Sequence, residues 1–187
     1  MKVLVTGANG FLGKAVVRRL LEYGNGEIRC VIRPGRDEAP LRRIAEEFPE
    51  SAVEIFHCDL TSREGAREAV QGVARVFHLA AGMRGSAADL VQNSVVASKY
   101  LLEGIVAAGV VRVCQVSSTS VYGTAGLRAG SVIDESTPLE PNPERRDLYS
   151  FAKIRQERLF WEYREKCGFS LVVARPGVIY GGGGAAA

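Results

Sequence analysis

The sequence predicts an α/β fold, a doubly wound parallel sheet with helices on both faces. Short apolar runs alternate along the chain with amphipathic helical stretches, and the links between them are mostly short. The runs are apolar almost without interruption, as expected for strands buried on both sides. Right-handed crossovers then select the doubly wound arrangement. With 187 residues, 47% apolar and 24% charged, the chain suits one domain with a sizeable core.

Lys2 to Thr6 (KVLVT) reads as the first strand, ending in glycines, and Phe11 to Tyr23 as the first helix. Glu27 to Ile32 is the second strand, Glu38 to Phe48 a helix, and Val53 to His57 the third strand. Thr61 to Val70 is helical; Thr61 is the expected N-cap, with Glu64 three residues on in the capping-box pattern. Val73 to Leu79 is the fourth strand, and Ala87 to Ala108 a long helix ended by Gly109. Val110 to Val116, Leu148 to Lys166 and Ser170 to Ala174 read as strand, long helix and strand. The loop Gly123 to Arg146 carries Pro138, Pro141 and Pro143, and loops of this length in compact domains are usually functional. Residues 1–181 thus form one domain. Residues 182–187 continue a Gly/Ala tail without packing logic, read as engineered or as the scar of a truncation.

Several function classes are excluded early. No run of about 18 uncharged apolar residues exists to span a membrane, and MKVLVTGANG reads as strand and turn rather than as a signal peptide. Cys30, Cys58, Cys114 and Cys167 form no CxxC pair and sit mostly in apolar runs. Buried free thiols in a reducing cytoplasm are expected. With only His57 and His78 beside them, no metal site is expected. The net charge of +3, from 24 basic and 21 acidic residues, is too mild for nucleic acid.

Gly7, Gly10 and Gly13 lie in TGANGFLG, between the first strand and the first helix. Glycine lets backbone approach a pyrophosphate, and the helix start near Phe11 offers unpaired N–H donors and a partial positive charge. A packing turn without ligand is the bland alternative. Where an NAD site commonly places an acid for the ribose, after the second strand, this chain has Arg33 and Arg36. A guanidinium matches a 2′-phosphate, so NADP is preferred over NAD; two solvated arginines are the alternative. Asp59 can accept from the adenine amino group, cap the next helix, or do both.

TGANGFLG, CDLTS, HLAAG, VSSTSVYG, Tyr149-x-x-x-Lys153 and ARPGVIYG occur in this order along the chain. In that order and spacing they resemble the extended short-chain dehydrogenases/reductases, the family of nucleotide-sugar epimerases, dehydratases and dihydroflavonol-type reductases. The resemblance covers residues 1 to about 181 and implies a Rossmann fold. It also implies that a C-terminal lobe shaping the substrate pocket is missing, and so that the sequence is a fragment. Counting back from Val121-Tyr122-Gly123, Ser118 matches the family's catalytic Ser/Thr, which would orient the reacting oxygen. Thr119 is the runner-up. Asn9, Gly10, Phe11, Leu12, Leu60, Leu79, Ala80, Ala81, Asn93 and Pro176 match segments that line the cofactor. By the same resemblance Lys153 bonds the nicotinamide ribose, and His78 is structural.

The chemistry stands beside the resemblance. Tyr149 and Lys153, four apart on a helix, share a face. A free phenol with a pKa of about 10 is a poor base at neutral pH. A neighbouring ammonium and a positive nicotinamide favour the phenolate; bringing it to neutrality needs roughly 4 kcal/mol. Tyr149 is thus the candidate general acid/base for a small-molecule hydroxyl or carbonyl, with hydride moving to or from the cofactor. Nucleotide sugars compete with ketones or aldehydes of flavonoid or sterol type as substrates. Arg33 with its short loop resembles the reductases, whereas SVYG with the Asp134-Glu135 loop resembles the sugar enzymes. A non-catalytic NADP sensor or scaffold is the alternative from another class. The family's pairing of its long helices into a four-helix bundle implies a homodimer, with Leu101, Leu102, Ile105, Phe151, Ile154, Leu159 and Trp161 supplying apolar surface.

Overall fold

The computed structural model describes residues 1–181, and the Gly/Ala tail at 182–187 lies outside the described residues. The strands are β1 (Lys2–Thr6), β2 (Glu27–Ile32), β3 (Ala52–His57), β4 (Val73–His78), β5 (Arg112–Val116) and β6 (Ser170–Ala174). The helices are α1 (Phe11–Glu22), α2 (Ala39–Glu46), α3 (Arg63–Ala69), α4 (Ala87–Val91), α5 (Ala97–Ala107) and α6 (Leu148–Cys167). All strand pairs are parallel, in the order β3-β2-β1-β4-β5-β6. This is the Rossmann order, and the direction in which successive strands are added reverses between β1 and β4.

Successive β1 residues serve opposite faces, as the two-residue repeat of a strand requires. Leu4 joins a core with Val76, Leu101, Ile105 and Phe160, whereas Val3 and Val5 join Val17, Leu21, Ile28 and Leu41. Leu101, Leu102, Ile105 and Ile154 are fully buried within the chain's own core. They are therefore not available to a dimer bundle; of the seven expected residues only Phe151, Leu159 and Trp161 keep partial exposure.

Three local expectations are corrected. The N-cap of α3 is Ser62, whose Oγ accepts from Gly65 N at 3.3 Å. Thr61 cannot cap, because its N–H and hydroxyl both bond Asp59 Oδ1, at 2.9 and 2.8 Å. The long helix after β4 is not uniform: Gln92–Val96 forms a π-helical turn between α4 and α5. There the Ser98 hydroxyl donates to Ser94 O at 2.5 Å, and the Gln156 amide approaches the same carbonyl at 3.4 Å, so side chains enter the backbone ladder. Of the thiols, Cys30 and Cys58 are buried, Cys114 is half-buried and Cys167 is exposed just before the helix-ending Gly168.

Candidate functional site

The carboxyl ends of β1, β2 and β4 open onto a cleft of about 550 Å³. Its floor is the glycine turn. Gly7 has φ +67°, and a Cβ there would lie 3.1 Å from Ala80 N, so both conformation and closeness demand glycine. A Cβ at Gly13 would meet Gly7 O at 2.2 Å; this glycine lets α1 pack on the turn and does not line the cleft. Gly10 is the N-cap of α1, with no side-chain cap and no acid in the first turn. The first amides of α1, which follow the cleft-lining Asn9 and Gly10, therefore have no side-chain cap. That is the donor set for a pyrophosphate, and the cradle fits a dinucleotide.

Of the expected cofactor residues, Gly7, Asn9, Gly10, Arg33, Arg36, Asp59, Leu60, Leu79, Ala80, Ala81 and Asn93 line this cleft; Phe11, Leu12, Gly13, Tyr149, Lys153 and Pro176 do not. Pro176 lies instead beside the serine run, its carbonyl accepting from Thr119 N at 3.0 Å. Arg33 Nη2 donates to Asn93 Oδ1 at 2.9 Å, while the Asn93 amide donates to Asp89 O at 2.8 Å. Sequence reasoning missed Met83 and Arg84, which also line the cleft. Their signal was present: an arginine between Gly82 and Gly85, directly after HLAAG.

Lys153 reaches the end of β5, Ser118 lies two residues beyond that strand, and Tyr149 precedes Lys153 by one turn of α6. Ser118 caps the short 3₁₀ turn Thr119–Val121, its Oγ accepting from Ser120 N at 3.1 Å. Asp147 caps α6 by accepting from Ser150 N at 2.9 Å, which sets where Tyr149 and Lys153 fall on the first turns. Lys153 Nζ donates to Val116 O at 2.8 Å and to Gln156 Oε1 at 3.0 Å. Its side chain hangs from the last residue of β5, two positions before Ser118. Burial pushes the Lys153 ammonium down to about 8, against the opposing pull of Glu157. Burial likewise pushes His78, stacked on Phe160 at 5.3 Å, down to about 3, so this imidazole is neutral.

Behind them, fully buried Glu157 accepts from Arg175 Nη2 at 2.5 Å and from Trp161 Nε1 at 3.3 Å. The Arg175 guanidinium lies 4.8 Å from the Tyr122 ring centroid. This pair, also unforeseen, clamps α6 to the segment after β6, and the Glu157 carboxylate holds Arg175 well above its ordinary range. Its trace in the sequence was the arginine of ARPGVIYG.

The sequence matches the model of the NAD dependent epimerase/dehydratase family over residues 3–186. It is 29% identical over 184 residues to a cinnamoyl-CoA reductase 1 of Petunia hybrida, covering 96% of this chain and 54% of that one. It is 35% identical over 150 residues to a sterol demethylase protein B of Methylococcus capsulatus, covering 77% and 42%. A dTDP-glucose 4,6-dehydratase from Streptomyces venezuelae, solved with NAD bound, superposes with a TM-score of 0.77 at 28% identity, covering 94% and 55%. The chain thus spans about half the length of the relatives it matches.

Proposed function

Given that the chain belongs to the NAD dependent epimerase/dehydratase family, we propose that it serves an NADP-dependent oxidoreductase or epimerase-type reaction on a small-molecule hydroxyl or carbonyl. The observation that carries this reading is Lys153 bound to the end of β5, two residues before Ser118 and one turn of α6 after Tyr149, in a fold with a dinucleotide-sized cleft at the strand ends. A sensor without turnover has no use for that set.

The bound nicotinamide supplies the hydride donor or acceptor. The chain's own residues do the rest. The amides at the start of α1 hold the pyrophosphate, and Arg33 and Arg36 hold the 2′-phosphate. Ser118 orients the reacting oxygen by hydrogen bonding. The phenolic oxygen of Tyr149 gives or takes the proton, with Lys153 as the neighbouring cation. On substrate class, the reductases among the sequence relatives support an aldehyde, ketone or thioester carbonyl over a nucleotide sugar.

A reducing cytoplasm suits four unpaired cysteines, and no helix among the described residues is long and apolar enough to cross a membrane. A homodimer through α5 and α6 remains part of the proposal, now resting on Phe151, Leu159, Trp161 and Leu148, the last 50% exposed. Nucleotide titration at fixed salt, followed by a screen for NADPH oxidation with aldehydes, thioesters and nucleotide sugars, tests the reading. Binding of neither dinucleotide would overturn it.

A further inference from the structure

A chain of buried polar groups runs from the lysine of the site to the glycine turn. Thr6 Oγ1 lies 3.2 Å from both Leu79 N and Ala80 N and accepts from each. Its own proton therefore goes to His78 Nδ1, 2.8 Å away. That fixes the neutral imidazole with its proton on Nε2, which donates to Ser98 Oγ at 2.9 Å. The Ser98 proton goes to Ser94 O.

Gln156, fully buried, has its amide nitrogen 2.8 Å from Ser98 Oγ, 3.3 Å from Ala80 O and 3.4 Å from Ser94 O. Three acceptors at one end decide which way the amide points. Its carbonyl oxygen must face the Lys153 ammonium, at 3.0 Å.

We propose that Gln156 is a positioning residue, whose amide carbonyl holds the Lys153 ammonium at the end of β5 and ties it through Ser98, His78 and Thr6 to the amides of Leu79 and Ala80 behind Gly7. The role for turnover rests on the proposed enzymatic reading; the hold on Lys153 does not. Thr6, His78 and Ser98 each have their donors and acceptors matched, which stiffens a buried network; the unmatched contact is Gln156 Nε2 against His78 Nε2, 3.2 Å apart with both as donors. Among the described residues Lys153 has two hydrogen-bond acceptors, Val116 O and Gln156 Oε1, and Glu157 adds its pull at longer range, so the amide is one of two direct contacts that stabilise the charge. The other titratable or charged groups near Lys153 are Tyr149 and Glu157 on α6, His78 from β4, and Arg175 after β6, which is bound to Glu157.

The test is the Lys153 titration, read by NMR of ¹³Cε-labelled lysine and assigned with Lys153→Arg, in the protein free of nucleotide. Gln156→Leu removes the acceptor and should lower the Lys153 midpoint. Gln156→Glu sets a carboxylate against the ammonium and should raise it by about one pH unit or more, tenfold in proton affinity. A structural role alone would not move two similar-sized substitutions in opposite directions. Ser98→Ala, which leaves Lys153 untouched but removes one anchor of the amide, should give a smaller shift in the direction of Gln156→Leu. It also serves if a Gln156 variant fails to fold. In an assay with turnover, the pH profile should move with the NMR midpoints. Unchanged midpoints in all folded variants, or shifts of the same sign for Leu and Glu, would overturn the proposal. Opposite shifts in a protein that neither binds dinucleotide nor turns over would uphold the positioning role and defeat only the enzymatic reading.

Discussion

Arg33 Nη2 and Asn93 Oδ1 are joined at 2.9 Å, linking the end of β2 to the π-helical turn that follows α4, across the rim of the cleft. The arginine expected to grip a 2′-phosphate is thus held by a neutral side chain that a phosphate can replace. Charge-assisted bonds to a guanidinium are about twice as strong as neutral ones.

Arg33→Ala should weaken NADP by roughly tenfold or more while leaving NAD nearly unchanged. Asn93→Ala should not weaken NADP, because it only releases Arg33. Calorimetric titration of both nucleotides with both variants checks this. Equal losses for NAD and NADP would place Arg33 outside the phosphate site.

In an assay with turnover, Tyr149→Phe should lower kcat by about 10² to 10⁴ and keep nucleotide affinity, since the phenol handles only the substrate proton. Under the proposed function, in which its ammonium serves both Tyr149 and the nucleotide, Lys153→Ala should lose rate and affinity together. A phenylalanine variant that retains most of its rate would move the proton role elsewhere.

Gly13→Ala should destabilise the fold by about 2–3 kcal/mol, because the added methyl meets Gly7 O at 2.2 Å. Gly10→Ala, whose methyl would lie 3.1 Å from the same oxygen, should unfold near the parent's midpoint but bind nucleotide poorly, since Gly10 lines the cleft. Denaturant curves beside nucleotide titrations separate the two effects.

Arg29, only 9% exposed, should matter for stability and not for binding. Its Nη1 donates to Ala69 O at 2.8 Å and Gln71 O at 3.0 Å, and its Nε to Glu54 at 3.0 Å. It therefore caps the carbonyl end of α3 from the neighbouring strand β2. Arg29→Met should cost about 2–4 kcal/mol in urea unfolding, with dinucleotide affinity in the folded protein unchanged.

His78 gives an acid limb to stability. Burial lowers its folded value to about 3, from 6.5 when unfolded. Between those values only the unfolded chain holds the proton, so stability is complete above pH 6.5 and falls as pH drops towards 3. His78→Gln should flatten unfolding free energy between pH 6.5 and 4.5, above the range where carboxylates titrate. An unchanged slope there would mean another group carries it.

Strand positions, helix positions and the glycine turn were legible in the sequence because each follows from neighbours within a few residues. Apolar runs such as KVLVT declare a doubly buried strand, and Gly7, Gly10 and Gly13 declare a turn before a helix. The resemblance of the motifs carried Ser118, Tyr149 and Lys153, of which the fold ties Lys153 to the end of β5, two residues before Ser118.

Groups far apart in the chain were decided only by tertiary structure. No local pattern pairs Gln156 with Ser98, Lys153 with Val116, Glu157 with Arg175, or Arg33 with Asn93. The first three exist because β4, β5 and β6 lie side by side with α6 packed against them, and the last because the end of β2 faces the π turn across the cleft. Even the π turn inside the long helix follows from this packing, since Ser98 and Gln156 both reach the carbonyl of Ser94. Apolar faces that must leave water specified the layers. Buried hydrogen-bonding groups, each needing a partner from another segment, then specified which side chains meet and how the site is held.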